Sequence, residues 1–253
     1  VATAAVSTVG VLALRRFPAG EDRLDEDRGE IRAFVIQSSL ATGVVSIRGL
    51  ITPLLLGIVA PQPQVGLFKA AQAPQGAFSS LSAPARMVLL AEQTKDWEHG
   101  RRERVFRGVR LYTLVALAAM LVVVPPLWLS MRWLLVHVVK PEYAPAADAA
   151  RLILLAAALQ LVVGWAKSLP VTIGRPQLRT LAHGIESAAL IPLVLVFGSL
   201  WGATGAAGAV LASSAVFVGV WIVLYARIRS GSLPGGEPIV EVPRHEAGEV
   251  LGL

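Results

Sequence analysis

Residues 111–139 read LYTLVALAAMLVVVPPLWLSMRWLLVHVV, an apolar run in which the only Lys, Arg, Asp or Glu is Arg132. A helix needs roughly 20 residues to cross a hydrocarbon core about 30 Å thick, so this run is long enough to span a membrane. Its adjacent prolines, Pro125 and Pro126, predict a kink in the outer half because they leave backbone carbonyls without donors. The run therefore indicates an integral membrane protein.

Five further apolar blocks of similar length follow the same pattern. The complete set of predicted transmembrane helices is about residues 34–60, 65–91, 111–139, 146–169, 178–198 and 206–225. Only the letters PQPQ separate the first two, which predicts an antiparallel hairpin. The predicted fold class is all-α, a polytopic membrane helix bundle whose six full transmembrane helices form one lobe over residues 34–228.

The two ends of the chain have a different character. Residues 1–14 are apolar and are interpreted as the end of a transmembrane helix that starts before Val1, so the chain is expected to be a fragment. A signal peptide is the alternative, but the basic pair Arg15-Arg16 follows the apolar run instead of preceding it. Residues 15–33 form a charged linker, and residues 229–253 are rich in Gly, Pro and acidic residues, which predicts a disordered tail.

The composition excludes several classes of protein. The chain is 55% hydrophobic and 16% charged, whereas soluble domains are about 25% charged, so it lacks the polar surface that water requires. Cysteine is absent, which removes disulfides, thiol catalysis and cysteine metal sites. The four histidines show no ligand spacing, and no nucleophile elbow, Walker A loop or acidic metal cluster occurs. We therefore predict no catalytic residues, no cofactor and no metal.

The distribution of basic residues predicts the orientation. Sixteen Lys and Arg residues fall on the side of the predicted bundle that carries the linker and the tail, and three fall on the other side. Cytoplasmic loops collect such residues, so the linker and the tail are expected to be cytoplasmic. The net charge of +6 is then a matter of membrane orientation, and no nucleic-acid partner is predicted.

Polar residues form a stripe on the second predicted helix. Within an arc of about 80°, at 100° per residue, lie Gln72, Gln75, Ser79, Ser82 and Arg86. Lys69 lies about 60° beyond its edge. The favoured interpretation is a water-filled cavity, with bending at Pro74 and Pro84. Hydrogen bonding between packed helices, with Arg86 reaching the headgroups, is the alternative.

Three more ionisable residues lie inside predicted helices. Arg48 and Glu186 are too deep to reach water easily, and charges at mid-membrane need partners. Arg48 either binds an anionic headgroup through its guanidinium fork or neutralises Glu186. Lys167 lies one turn from the cytoplasmic end, where its side chain can extend to the headgroups. Glu186 and Lys167 are thus candidates for an ion pair or an ion-coupling site.

Four segments, in this order, resemble a known family. They are RGLITPLLLGIVAPQPQVGLFKAAQ at 48–72, VVKPEYAPAADAARLILL at 138–155, IGRPQLRTLAHGIESAALIPLVLVF at 173–197 and WGATGAAGAVLASSAVF at 201–217. Their order and spacing resemble the carboxy-terminal half of the multidrug/oligosaccharidyl-lipid/polysaccharide flippase superfamily, in its polysaccharide-export (Wzx-type) branch. The chain departs from that pattern where Lys140-Pro141 precedes the Tyr, and where Glu186 stands at a position that is more often neutral.

The resemblance implies a transporter of two six-helix lobes around a central cavity in the cytoplasmic membrane. It implies that lipid-linked oligosaccharide or polysaccharide precursors are flipped by alternating access, and that the partners are the lipid bilayer, this substrate and an amino-terminal lobe. Arg48, Lys69 and Arg86 would then bind the lipid diphosphate, beside Gln72 and Gln75. The resemblance implies no enzymatic activity.

Three alternatives remain open. A cation-coupled multidrug exporter of the same superfamily would need membrane carboxylates, of which this lobe offers Glu186. A membrane-embedded glycosyl or acyl transferase would need a clustered acid, base or metal motif at a membrane face. A non-transporting membrane scaffold is predicted if the polar stripe is packed and dry.

Overall fold

The computed structural model describes residues 49–230 together with Gly29, Arg32 and Ile36, apart from the side chains of residues 77, 79 and 81–86. The described residues from 49 onward belong to one compact unit. Within them all regular structure is helical, and they include no strand. The predicted helix end at residues 1–14, most of the linker, the first part of the first span and the tail after Ser230 lie outside the described residues.

Seven α-helices make up the described part of this unit. They are α1 Gly49–Val59, α2 Gln62–Ala71, α3 Ala73–Glu98, α4 Arg102–Leu134, α5 Ala147–Val162, α6 Leu169–Thr172 and α7 Gln177–Arg229. Three shorter turns connect them: a π-helical turn at Leu135–Val139 and 3-10 turns at Pro141–Ala146 and Gly164–Lys167.

Three helical stretches among the described residues are long and apolar enough to cross a membrane: Arg102–Val139, Pro141–Val162 and Gln177–Arg229. Large apolar side chains of α4, such as Leu121, Val122 and Leu129, are more than two thirds exposed. Contiguous exposed apolar surface is unfavourable in water and natural in lipid. The long apolar helices and their exposed apolar side chains thus support the prediction of an all-helical membrane protein.

Helix α7 folds back on itself at Gly202. That residue has φ 57° and ψ −131°, a conformation that glycine adopts readily and other residues avoid. Residues 177–201 form a first arm and residues 203–229 a second. The rings of His183 and Phe217 stack with centroids 4.8 Å apart, whereas a straight helix would place these residues about 51 Å apart. The two arms therefore lie side by side and antiparallel, and the predicted turn between residues 198 and 206 is found.

The side chain of Gln64, on α2, is hydrogen-bonded to this turn of α7. Its Oε1 accepts a hydrogen bond of 2.9 Å from the backbone N–H of Ala203, the first residue of the second arm. A Cβ atom at Gly202 would lie 2.5 Å from the same Oε1, and one at Gly205 would overlap the carbonyl oxygen of Phe197. Both glycines thus permit close approach, which small residues commonly provide between membrane helices.

Two helix boundaries differ from the prediction. The predicted spans 65–91 and 111–139 leave residues 92–110 between two helices as a basic loop, but α3 continues to Glu98 and α4 begins at Arg102. Arg, Glu, Lys and Gln are good helix formers, so a polar sequence does not end a helix. The second predicted span is divided at Gln72 into α2 and α3, two residues before Pro74.

The proline pair of the third span does not end its helix. α4 continues through Pro125 and Pro126 to Leu134, and the irregular backbone comes later, in the π-helical turn. The hydroxyl of Ser130 also donates to the carbonyl of Pro126 at 2.7 Å, one turn earlier in the same helix.

Candidate functional site

Two ionisable side chains are buried together in the first arm of α7. His183 is 4% exposed and Glu186 is fully buried. They are three residues apart, so they share a helix face, and Nδ1 of His183 lies 3.0 Å from Oε2 of Glu186. A hydrogen bond of this length to a carboxylate is among the stronger ones in proteins. The pair is therefore well held inside the bundle.

Neighbouring helices complete the arrangement. Gln160 of α5 donates from Nε2 to Oγ of Ser214, on the second arm, at 3.1 Å, and the same nitrogen lies 3.5 Å from Oε1 of Glu186. Phe217, also on the second arm, stacks on His183 with an angle of 21° between the rings. We name Gln160, His183, Glu186 and Ser214 the polar layer. It joins α5 to both arms of α7.

Apolar clusters lie on both sides of the polar layer. Leu190 and Val210 belong to a cluster toward the turn of α7, and Ala182 and Phe217 belong to a second cluster toward its two ends. Along the first arm Glu186 is about 14 Å from Gln177 at 1.5 Å per residue. The polar layer is thus enclosed by apolar side chains, where each polar atom needs a partner.

Two buried polar atoms beside Glu186 have no such partner among the described residues. Nε2 of His183 and Oγ of Ser187 make no hydrogen bond in the described part of the chain. Since most buried polar groups in proteins are hydrogen-bonded, such exceptions call for an explanation. If the neutral ring donates Nδ1–H to Glu186, Nε2 carries a free lone pair that can accept a hydrogen bond or a proton.

A second buried hydrogen bond lies elsewhere in the unit. Oγ of Ser168 donates to Oε1 of Gln93 at 2.8 Å, and both residues are less than 10% exposed. This contact joins α3 to the segment between α5 and α6. Nearby rings pack at an angle, with Trp165 and Trp221 centroids 5.7 Å apart. The hydrogen bond between Ser168 and Gln93 therefore contributes to the packing of these helices.

The residues predicted for substrate binding are only partly within the described structure. Lys69 is exposed on α2, and Gln72 and Gln75 are half-buried at the junction of α2 and α3. Arg48 lies outside the described residues, as do the side chains of Ser79, Ser82 and Arg86. The polar stripe therefore stays a prediction.

The remaining two candidates have different surroundings. Glu186 is part of the polar layer, and Lys167 is half-buried at the end of the turn Gly164–Lys167. The hypothesis that Arg48 neutralises Glu186 stays a prediction, since Arg48 is not described. Glu186 was expected to need a partner, and among the described residues His183 and Gln160 are two such partners.

Sequence reasoning missed His183, Gln160 and Ser214. The spacing of His183 and Glu186 on one helix was a usable signal, because side chains three residues apart can meet. The contributions of Gln160 and Ser214 depend on tertiary packing. Across residues 49–230, no group of three or more His, Cys, Asp or Glu residues could hold a metal ion.

No known protein family, no curated protein and no solved structure matches the chain. What the protein does is therefore inferred from its own residues.

Proposed function

We propose that the chain is one lobe of a membrane transporter, a flippase that moves lipid-linked oligosaccharide or polysaccharide precursors across the cytoplasmic membrane by alternating access. The observation that carries this proposal is the polar layer, which places a buried carboxylate and a buried imidazole inside a mostly apolar helix bundle. Ionisable residues within a membrane are costly, and they are usually found where ions, protons or substrates pass. The order of the segments that resemble flippases supports the same conclusion.

The proposed arrangement has six transmembrane helices. α1 is the end of the first, α2 and α3 form a broken second, α4 is the third, and α5 is the fourth. The two arms of α7 are the fifth and sixth. With the linker and the tail in the cytoplasm, the turn at Gly202 faces the outer side, which agrees with the excess of basic residues at the opposite ends of the helices.

The proposed substrate site lies along α2 and α3. Lys69 is exposed, and the half-buried Gln72 and Gln75 lie where these two helices meet. Interrupted membrane helices are tolerated where they line a cavity or pack against protein. Arg48 and Arg86 would add guanidinium groups, which bind phosphate oxygens through two parallel hydrogen bonds.

Paired substitutions test this site in the full-length protein. Arg48→Ala with Arg86→Ala is expected to abolish surface polysaccharide in cells that depend on this protein, while the amount inserted in the membrane is unchanged. The matched control is Arg107→Ala with Arg132→Ala, which removes two exposed arginines from α4 and should leave export intact. Unchanged export in a well-expressed Arg48/Arg86 variant would show that these two arginines do not belong to a substrate-binding cavity.

A second function, a cation-coupled multidrug exporter, is favoured by one observation, the buried Glu186 beside His183. Drug accumulation in cells with and without the protein separates the two. A flippase leaves drug accumulation unchanged and is required for surface polysaccharide, whereas an exporter shows the opposite pattern.

A further inference from the structure

Two arginines from distant parts of the sequence meet at one end of the bundle. Arg110 lies on α4 and Arg229 ends α7, and both are exposed. Both lie close enough to Tyr225, on the second arm, for their charges to act on its hydroxyl group. The ring of Tyr225 packs edge-on against Phe106 of α4, with centroids 5.8 Å apart. The approach of α4 to the second arm therefore brings two positive charges to one place.

The positive charge at this place is only partly balanced. Neither Arg110 nor Arg229 forms an ion pair with another described residue. Glu103, which also acts on Tyr225, contributes one carboxylate, so an excess of positive charge remains. The hydroxyl of Tyr225 can donate a hydrogen bond as well. Two guanidinium groups and a hydroxyl are donors that suit the oxygens of a phosphate group.

Apolar side chains continue the same face of α4 into the predicted membrane. At 100° per residue, Leu114, Leu117 and Leu121 lie within about 40° of Arg110. They are 55%, 47% and 69% exposed, respectively. Phe106, which meets the second arm, also lies within about 40° of Arg110. The leucines are thus exposed on the face that approaches the second arm at its end, so α4 and this arm are not packed together along that face.

The second arm presents an apolar side chain to the same space. Ile222 lies about 60° from Tyr225 around the helix and is 62% exposed. From Arg110 to Leu121 the helix rises about 16 Å at 1.5 Å per residue. One leaflet contributes about half of a hydrocarbon core that is about 30 Å thick. The apolar track is therefore as long as one leaflet is deep, and the two arginines lie at its outer end.

We propose that the space between α4 and the second arm of α7 binds an anionic phospholipid from the leaflet at this end of the bundle. Its phosphate lies between Arg110 and Arg229, and an acyl chain follows Leu114, Leu117 and Leu121. A zwitterionic headgroup adds a positive charge that the arginines repel, so a headgroup with net negative charge is preferred. This site, named the lipid cleft, goes beyond the proposed transport function and does not depend on it.

Photoreactive lipids test the lipid cleft directly. The full chain is reconstituted in phosphatidylcholine vesicles with a trace of one of two probes, phosphatidylglycerol or phosphatidylcholine, that carry the same diazirine in an acyl chain. After illumination, mass spectrometry locates the cross-linked residues. Two arginines near an anionic headgroup should make labelling of residues 114–121 about fivefold or more stronger with the phosphatidylglycerol probe.

Paired substitutions separate the lipid cleft from the general charge of the protein. Arg110→Gln with Arg229→Gln should remove the preference for phosphatidylglycerol. The matched control is Arg104→Gln with Arg132→Gln, which removes two exposed arginines of α4 at other positions and should preserve it. Arg110→Lys with Arg229→Lys keeps both charges and should retain most of the preference, which shows that the site still folds.

Three results would overturn the lipid cleft. Equal labelling of residues 114–121 by the two probes in the unmodified chain would show that the headgroup is not recognised. An equal loss of preference in the Gln pair and in its control would mean that net charge alone attracts the lipid. An equal loss in the Lys and Gln pairs would show that positive charge at these two positions does not bind it. None of these outcomes depends on whether the protein moves lipid-linked sugars, which the Arg48/Arg86 variant tests separately.

Discussion

Single buried hydrogen bonds connect helices that are distant in the sequence. Oγ of Ser168 lies 2.8 Å from Oε1 of Gln93 and 3.1 Å from the backbone carbonyl oxygen of Trp165, and its single proton is best placed for the shorter contact, to Gln93. Nε2 of Gln93 has no hydrogen-bond partner among the described residues. The serine hydroxyl is therefore an important restraint on the amide of Gln93, and its loss would leave a buried acceptor unsatisfied.

We predict that Ser168→Ala lowers the free energy of unfolding by about 1 to 2 kcal/mol, because a buried acceptor loses its donor. Ser199→Ala is the matched control, since Ser199 is exposed and its hydroxyl bonds only a carbonyl of its own helix. It should change stability by less than about 0.5 kcal/mol. Reversible unfolding in mixed detergent micelles measures both. Equal stabilities of the two variants would show that the Gln93 contact contributes nothing.

At the residue scale the sequence identified Glu186 but not its partners. Glu186 lies deep in an apolar run, and it was expected to need a partner because burying an unpaired charge is costly. Which partner it has depends on rotation of the first arm and on how α5 packs against both arms of α7, and neither follows from periodicity. His183 was within reach of sequence reasoning because it lies three residues away.

At the scale of elements, the turn in α7 was predictable but its geometry was not. The segment SLWGATG indicates a break, since glycine destabilises helix interiors. Of the two glycines in this segment, Gly202 adopts a positive φ, while Gly205 lies close to the backbone of Phe197. Both glycines are required, for different physical reasons, and their roles emerge only when the arms are packed.

We predict that Gly202→Ala destabilises the lobe by about 1 to 3 kcal/mol, because a side chain is disfavoured at this φ and ψ and Gln64 must move. Gly219→Ala lies in the second arm with open space around it, so it should be neutral or slightly stabilising, as alanine is the better helix former. Thermal unfolding in detergent distinguishes them. A Gly202→Ala variant as stable as Gly219→Ala would contradict the role of the turn.

At the scale of the whole molecule, run length and composition were sufficient to predict an all-helical membrane protein. In lipid, a segment of about 20 apolar residues has few stable conformations other than a transmembrane helix. The helix boundaries were less predictable, because α3 and α4 extend well into polar sequence. There the helix propensity is high, but hydropathy does not indicate where the helix ends. The orientation rests on the basic residues alone.

The orientation can be tested by single cysteines, because the chain has no cysteine of its own. Arg104→Cys and Ser230→Cys should react with a membrane-impermeant thiol reagent only from the cytoplasmic side, and Lys140→Cys and Ser199→Cys only from outside. All four positions are exposed. Labelling after permeabilisation controls for reactivity. Labelling of Arg104→Cys and Lys140→Cys from the same side would mean that α4 does not cross the membrane.

The contact between Gln64 and the turn of α7 has a consequence for biosynthesis. Because a ribosome makes the chain from its amino terminus, α2 and its Gln64 exist before Ala203 is translated. The carbonyl group that caps the second arm is thus available when that arm emerges. The α7 pair can enter the bilayer as a nascent hairpin and dock onto helices already inserted, with Gln64 serving as a template that fixes where the chain reverses.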